Sequence, residues 1–114
     1  MSKDTGRRRV AVSESSGNVF DDLGRPNAEE QKLKARLAAA INRAVEARGL
    51  RQAEAARVLG ASQPDVSALA NYKLSGFSVG RLVGYLTDLN RDVDIAIRPS
   101  RHHGQVSVRE LEDA

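Results

Sequence analysis

The chain has no cysteine and no tryptophan. Without cysteine, neither a disulfide framework nor a thiolate metal site can form. Aromatic residues make up only 4% of the chain, so its core must be built from small aliphatic side chains, and the abundance of alanine suits closely packed helices. Its two histidines are adjacent, His102 and His103, inside a stretch from Pro99 to Gly104 that reads as a turn. Two neighbouring histidines without a fixed third ligand usually line a turn, so no metal and no cofactor are expected. No Ser, His or carboxylate pairing and no glycine-rich phosphate loop has a supporting context, so no enzyme is expected. The acidic pairs Asp21-Asp22 and Glu29-Glu30 are explained by the preference of negative charge for helix starts. There is no apolar run long enough for a membrane span or a signal peptide, and a cytoplasmic location is the simplest expectation.

What is present is a chain of 114 residues, 40% of them apolar, with a formal net charge of +3. This allows one small domain with tails. The excess of basic residues fits a nucleic-acid partner, although ordinary domains reach the same value.

The most informative stretch is residues 52–72, QAEAARVLGASQPDVSALANY. It reads as a short helix, a tight turn and a second short helix. Gly60 supplies the left-handed conformation that ends the first. Ser62 caps the second, and Pro64 stands in its first turn, where a missing N–H costs nothing. Ala56 marks the crossing point of the two helices, and Ala55, Leu59, Val66 and Leu69 close the space between them. This is the helix-turn-helix arrangement, whose second helix enters the DNA major groove.

Elements flank it on both sides. Residues 1–16 are polar, with a basic run Arg7-Arg8-Arg9, and are expected to be disordered, either as a solvated tail or as an arm on phosphates. Val19, Phe20 and Leu23 fit one helical turn, which either covers the end of the core or docks a partner. Asn27 and Glu30 open a long helix to about Arg48, with Leu33, Leu37, Ile41, Ala44 and Val45 as its buried stripe. Arg51 stands at the start of the first helix of the pair, and it cannot supply the side-chain cap that Ser or Thr would. Phe77 plugs the core, and a last helix runs from about Val79 to Leu89 with Ser78 as cap. Val79, Leu82, Val83, Leu86 and Leu89 are its apolar face. Gly80 and Gly84, four apart, suggest close approach of another helix. In residues 91–98 the period changes to two: Val93, Ile95 and Ile97 alternate with Asp92, Asp94 and Ala96, as in a half-buried strand. That strand either folds back on residues 105–109 as a hairpin or pairs with its copy in a second chain. The pairing with a second chain is favoured, because a dimer presents two recognition helices to a palindromic site. The expected fold is thus mainly α, a helix-turn-helix bundle of four to five helices over residues 17–90. A strand and dimerisation segment follows at 91–109, and residues 110–114 form a frayed end.

Gln52, Ala56, Gly60, Ser62-Gln63-Pro64, Val66-Ser67 and Leu69 resemble the Cro/C1-type (XRE) helix-turn-helix family. Residues 16–24 before this core, and residues 74–78 and 92–98 after it, are similar to the HigA-like antitoxins of type II toxin–antitoxin pairs. The resemblance implies a homodimeric transcriptional repressor on double-stranded DNA, partnered by a RelE/HigB-like ribonuclease toxin. It also implies that Gln63 is the main base reader, its amide matching adenine N6 and N7. Pro64 and Ala68 could touch only thymine methyl groups. Backbone contacts are expected from Gln52, Ser62, Ser67, Asn71 and Lys73, and dimer contacts from Val93, Ile95 and Ile97. A stand-alone repressor, or an interaction module that binds a partner and little DNA, are the competing readings.

Overall fold

The computed structural model describes residues 27–111. The basic tail, the turn at Val19, Phe20 and Leu23, and residues 112–114 lie outside the described residues. Four helices follow one another: α1 Ala28–Ala47, α2 Gln52–Leu59, α3 Gln63–Ala70 and α4 Val79–Asp88. The long α1 packs mainly on α4, and the short pair α2 and α3 pack on each other.

Each helix start is set by a specific residue. The Glu30 N–H donates to Asn27 Oδ1 at 2.9 Å, satisfying one of the amides left free at the start of α1. The Glu30 carboxylate meanwhile lies 3.8 Å from Lys34 Nζ. Ser62 Oγ accepts from the Asp65 N–H at 3.1 Å, and Ser78 Oγ from the Arg81 N–H at 3.0 Å. At α2 the Arg51 side chain offers no cap, but Glu54 reaches back and accepts from the Arg51 N–H at 2.8 Å. The acidic half of a capping box thus holds the helix start without its hydroxyl half.

The helix ends share one device. The N–H groups of Leu50, Ala61, Lys73 and Arg91 donate to the carbonyls of Val45, Ala56, Ala68 and Leu86 at 2.8–3.1 Å. This six-to-one closure needs a left-handed residue just past the helix. Gly49, Gly60, Tyr72 and Asn90 fill that place, with φ of +65°, +63°, +58° and +63°. Glycine takes it at little cost. Tyr72, with a Cβ and a bulky ring, does so against its own preference.

The core is aliphatic and alanine-rich. Leu37, Ala38, Ile41 and Ala44 of α1 meet Ala55, Ala56 and Leu59 of α2, Val66 and Leu69 of α3, and Leu82, Leu86 and Leu89 at α4. Ile41, Leu69 and Leu82 are its largest fully buried side chains, and truncating Leu69 to Ala should cost about 2–5 kcal/mol. Leu33 and Val45 pack at its edge. Phe77 is buried as expected and meets Tyr85 edge-on, centroids 6.2 Å apart at 72°. Tyr85 joins the buried face of α4 in addition to the aliphatic residues expected there. Its hydroxyl is buried with no hydrogen-bond partner among the described residues.

Two expectations are corrected here. Among the described residues, a Cβ at Gly80 or Gly84 would meet nothing within 4 Å, so no described helix approaches those glycines closely. Residues 91–98 and 105–109 do not form a hairpin, and no strand ladder exists among the described residues. The physical reason is that a strand needs a partner edge, and no backbone hydrogen bond joins residues 92–98 to 105–109. Val93 packs at the edge of the core, whereas Ile95 and Ile97 are 80% and 93% exposed. Val108 then returns to the core edge. Glu110, assigned by composition to the frayed end, is held by a bidentate ion pair with Arg43 of α1.

Candidate nucleic-acid interface

The helix pair is rigidified from three directions. Gly60 and Ser62 set the turn between α2 and α3, with the Ala61 N–H returning to the Ala56 carbonyl at 2.9 Å. Ala56, small and buried, lets the two helices approach. At the far end of α3, Asn42 of α1 donates its side-chain amide to the Leu69 carbonyl at 3.1 Å, satisfying an acceptor in the last turn. Val66 and Leu69 face the core, and both are buried. They fix the rotation of α3 about its axis and therefore which residues look outward.

Gln63 and Pro64, the first two residues of α3, are exposed. So are Gln52 at the first position of α2, Ser62 at the cap of α3, and Asn71 and Lys73 beyond its end. Ser67 is half-buried, and its carbonyl accepts from the Asn71 side-chain amide at 2.9 Å, which folds Asn71 back along its own helix. Ala68 is half-buried and packs against the core cluster, so much of its methyl is turned inward. The structure thus puts Gln63 and Pro64 at the leading end of α3, with exposed Ser62 at its cap and exposed Gln52 at the start of α2. Asn71 and Lys73 lie at the trailing end of the helix.

Near this surface, Asp65 was expected either to accept from cytosine N4 or to favour the helix N-terminus, whereas Arg81 and Tyr72 went unassigned in the sequence. Asp65 lies in the first turn of α3, where it favours the helix dipole, and its carboxylate is 2.8 Å from Arg81 Nη2. That guanidinium also stacks over the Phe77 ring at 4.9 Å and the Tyr85 ring at 5.5 Å from their centroids. Its pKa is raised above the ordinary arginine value chiefly by the hydrogen bond to Asp65. Tyr72, half exposed and left-handed, stands between Asn71 and Lys73. Arg81 and Tyr72 emit no signal in the sequence, because their placement depends on long-range packing and on a helix end that usually takes Gly.

Val93, Ile95 and Ile97, expected from the sequence to make dimer contacts, lie apart from this surface in the chain, on the segment that follows α4. Among the described residues no group of His, Asp or Glu has the arrangement of a metal site. No described helix is long and apolar enough to cross a membrane.

The fold and its exposed helix pair agree with what known proteins show. Residues 19–98 match the model of a family described as "Helix-turn-helix domain". A solved structure named "Putative XRE Family Transcriptional Regulator" is similar, with a TM-score of 0.66 and 46% sequence identity. The match covers 78% of this chain and 100% of that one. None of the curated proteins matches. The chain belongs to the XRE family of helix-turn-helix proteins.

Proposed function

We propose that the protein is a sequence-specific transcriptional repressor that binds a palindromic operator as a homodimer. The observation that carries this reading is the exposed Gln63 at the leading end of a helix whose rotation is fixed by buried Val66 and Leu69. A glutamine so placed can give and take a hydrogen bond with adenine in the major groove. Exposed Ser62 at the cap of α3 and exposed Gln52 at the start of α2 suit phosphate contacts that set register. The name of the structure that is 46% identical supports a regulatory role.

The finer reading is that of an antitoxin that represses its own operon and neutralises a RelE/HigB-like ribonuclease toxin. Its support is the similarity to HigA-like antitoxins carried by residues 16–24, 74–78 and 92–98. A small basic RelE-like protein encoded next to this gene, and its co-purification with the chain, would separate this role from that of a stand-alone repressor.

The test is fluorescence anisotropy of a labelled fragment from upstream of the gene, against a scrambled fragment, near physiological salt. A specific binder should prefer the first by about a thousandfold or more. Gln63→Ala should remove about 1–3 kcal/mol of that preference and leave scrambled binding as it was. Equal, weak binding of both fragments would overturn the repressor reading in favour of an interaction module.

A further inference from the structure

The segment from Arg91 to Arg98 carries an unused, self-complementary pattern. Ile95 and Ile97 are 80% and 93% exposed, on the same alternation as Val93, which rests on the core edge. Among the described residues, no backbone-to-backbone hydrogen bond involves residues 92–98. Scattered exposed apolar residues need no explanation. Here Val93, Ile95 and Ile97 alternate with Asp92, Asp94, Ala96 and Arg98 and run up to Pro99, and together these features define a register.

We infer that this segment pairs antiparallel with its own copy in a second chain, with Ile95 on the two-fold axis. The inference rests on the homodimer reading above and specifies its interface. Centring on Ile95 sets Val93 opposite the partner's Ile97, Ile95 opposite the partner's Ile95, and Asp92 opposite the partner's Arg98. All three apolar residues then meet apolar residues. Each acid–base pair occurs twice by symmetry, as an isologous interface requires. Shifting the centre to Asp94 would place two carboxylates face to face. Shifting it to Ala96 would leave Val93 opposite proline and Asp92 opposite Ser100.

Pro99 adds an independent constraint. Directly opposed residues of an antiparallel pair alternate between those that exchange backbone hydrogen bonds and those that do not. Pro99 has no N–H, so it must fall among the non-bonded positions. Counting back by twos, residues 97, 95, 93 and 91 are non-bonded as well. Residues 92, 94, 96 and 98 then carry the ladder, with Asp92 bonded to the partner's Arg98 and Asp94 to the partner's Ala96. Val93 sits on the core edge of its own domain, so the partner's Ile97 opposite it arrives at that edge too. The dimer thereby covers the isoleucines that each chain leaves in solvent. An open groove of about 580 Å³, lined by Thr87, Asn90, Arg91, Asp92, Val93 and Asp94, offers two carboxylates where the partner's Arg98 is to lie.

The absence of cysteine makes the test direct. Asp94→Cys, Ile95→Cys and Ala96→Cys are prepared singly in the full chain. Their mass is measured by light scattering at micromolar concentration, and each is exposed to oxidised glutathione. On a symmetric antiparallel ladder only the residue on the axis faces itself. Non-bonded pairs stand about 4.5 Å apart at Cα, within the span of a disulfide. The expected result is a dimer in which Ile95→Cys crosslinks rapidly and the other two do not. Asp92→Arg should lower the dimer fraction, and adding Arg98→Asp should restore it. A dimer that crosslinks at position 94 or 96, or at none of the three, overturns this register while leaving the homodimer reading intact. A monomeric mass for the unsubstituted chain overturns both.

Discussion

Arg81 Nη2 stands 2.8 Å from Asp65 Oδ2 and joins the first turn of α4 to the first turn of α3. Both side chains are about two-fifths exposed, so the pair adds little to stability, on the order of 0–1 kcal/mol. Its consequence is electrostatic and local. Asp65 is the acidic residue in the first turn of the helix proposed to enter the groove, where an unmasked carboxylate would repel phosphates. Arg81 cancels that charge while leaving Asp65 at the positive end of the helix dipole.

Arg81→Ala should therefore weaken binding to specific and scrambled DNA alike, by about threefold to tenfold, since the effect is a charge on the backbone term. Asp65→Asn in the same background should recover most of the loss. Anisotropy titrations of the single and double variants check this. If the double variant stays as weak as Arg81→Ala, the arginine touches phosphate itself and the masking role is wrong. Thermal melts of the same proteins should move little.

Gly80 and Gly84 are open to improvement. Both lie within α4, and a Cβ at either position meets nothing within 4 Å. Glycine in a helix interior is less favourable than alanine by roughly 0.8–1.0 kcal/mol. Gly80→Ala and Gly84→Ala should each raise stability by about that amount, and together by about the sum. For a domain of this size the melting temperature should rise by about 4–8 °C per kcal/mol. A fall on either substitution would mean that a second chain or a partner approaches α4 there.

The return of the carboxyl-terminal segment to α1 is aided by the ionised Glu110, beside the packing of Val108 on the core edge. Its hydrogen bond with Arg43 holds the carboxyl below its ordinary value of 4.5, and burial opposes this only in part. The ionised form is therefore the one bound. The contact is fully present above pH 4.5 and is lost as pH falls through the depressed pKa. Acidification should release residues 105–111, seen as a change in the methyl environment of Val108, which packs on the core edge, before the helices unfold. In Glu110→Gln the segment should already be loose at neutral pH, with no further step in acid.

The helical part was legible because local chemistry and long-range packing agree there. Asn27, Ser62 and Ser78 cap as their side chains dictate, Gly60 closes its helix, and the periodic apolar residues are those buried in the core or packed on its edge. Arg51 shows the limit of that reasoning. The missing hydroxyl was visible, but the compensating carboxylate of Glu54 follows only from the geometry of the helix start. Ala68 looked outward on a helical projection, yet half of it is covered, because the alanine-rich core comes close enough to reach it. The period-two segment was read as a strand with two possible partners, and among the described residues it forms neither a strand ladder nor a hairpin. Alternation specifies a face and says nothing of which edge it meets. Tyr72, Tyr85, Arg81 and Asn42 escaped notice because their roles arise from packing between distant parts of the chain.

Tyr72 carries the last prediction. It occupies the left-handed closing position of α3 with φ +58°, where its counterparts after α1 and α2 are glycines. A non-glycine residue there costs about 1–2 kcal/mol, and its ring remains half exposed. Such strain persists where the side chain serves something other than folding, and here it stands between Asn71 and Lys73 at the trailing end of the proposed recognition helix. Tyr72→Gly relieves the strain but loosens the unfolded chain, two effects of opposite sign and similar size. Stability should therefore stay level or rise by up to about 1 kcal/mol. DNA affinity should fall by about threefold to thirtyfold, the range of one lost polar or stacking contact to the duplex backbone. The decisive comparison is between the melting curve and the anisotropy titration of this one variant. A drop in affinity with an unchanged or higher melting temperature assigns Tyr72 to the DNA interface, whereas affinity equal to that of the parent chain leaves it as a helix end that evolution has not relaxed to glycine.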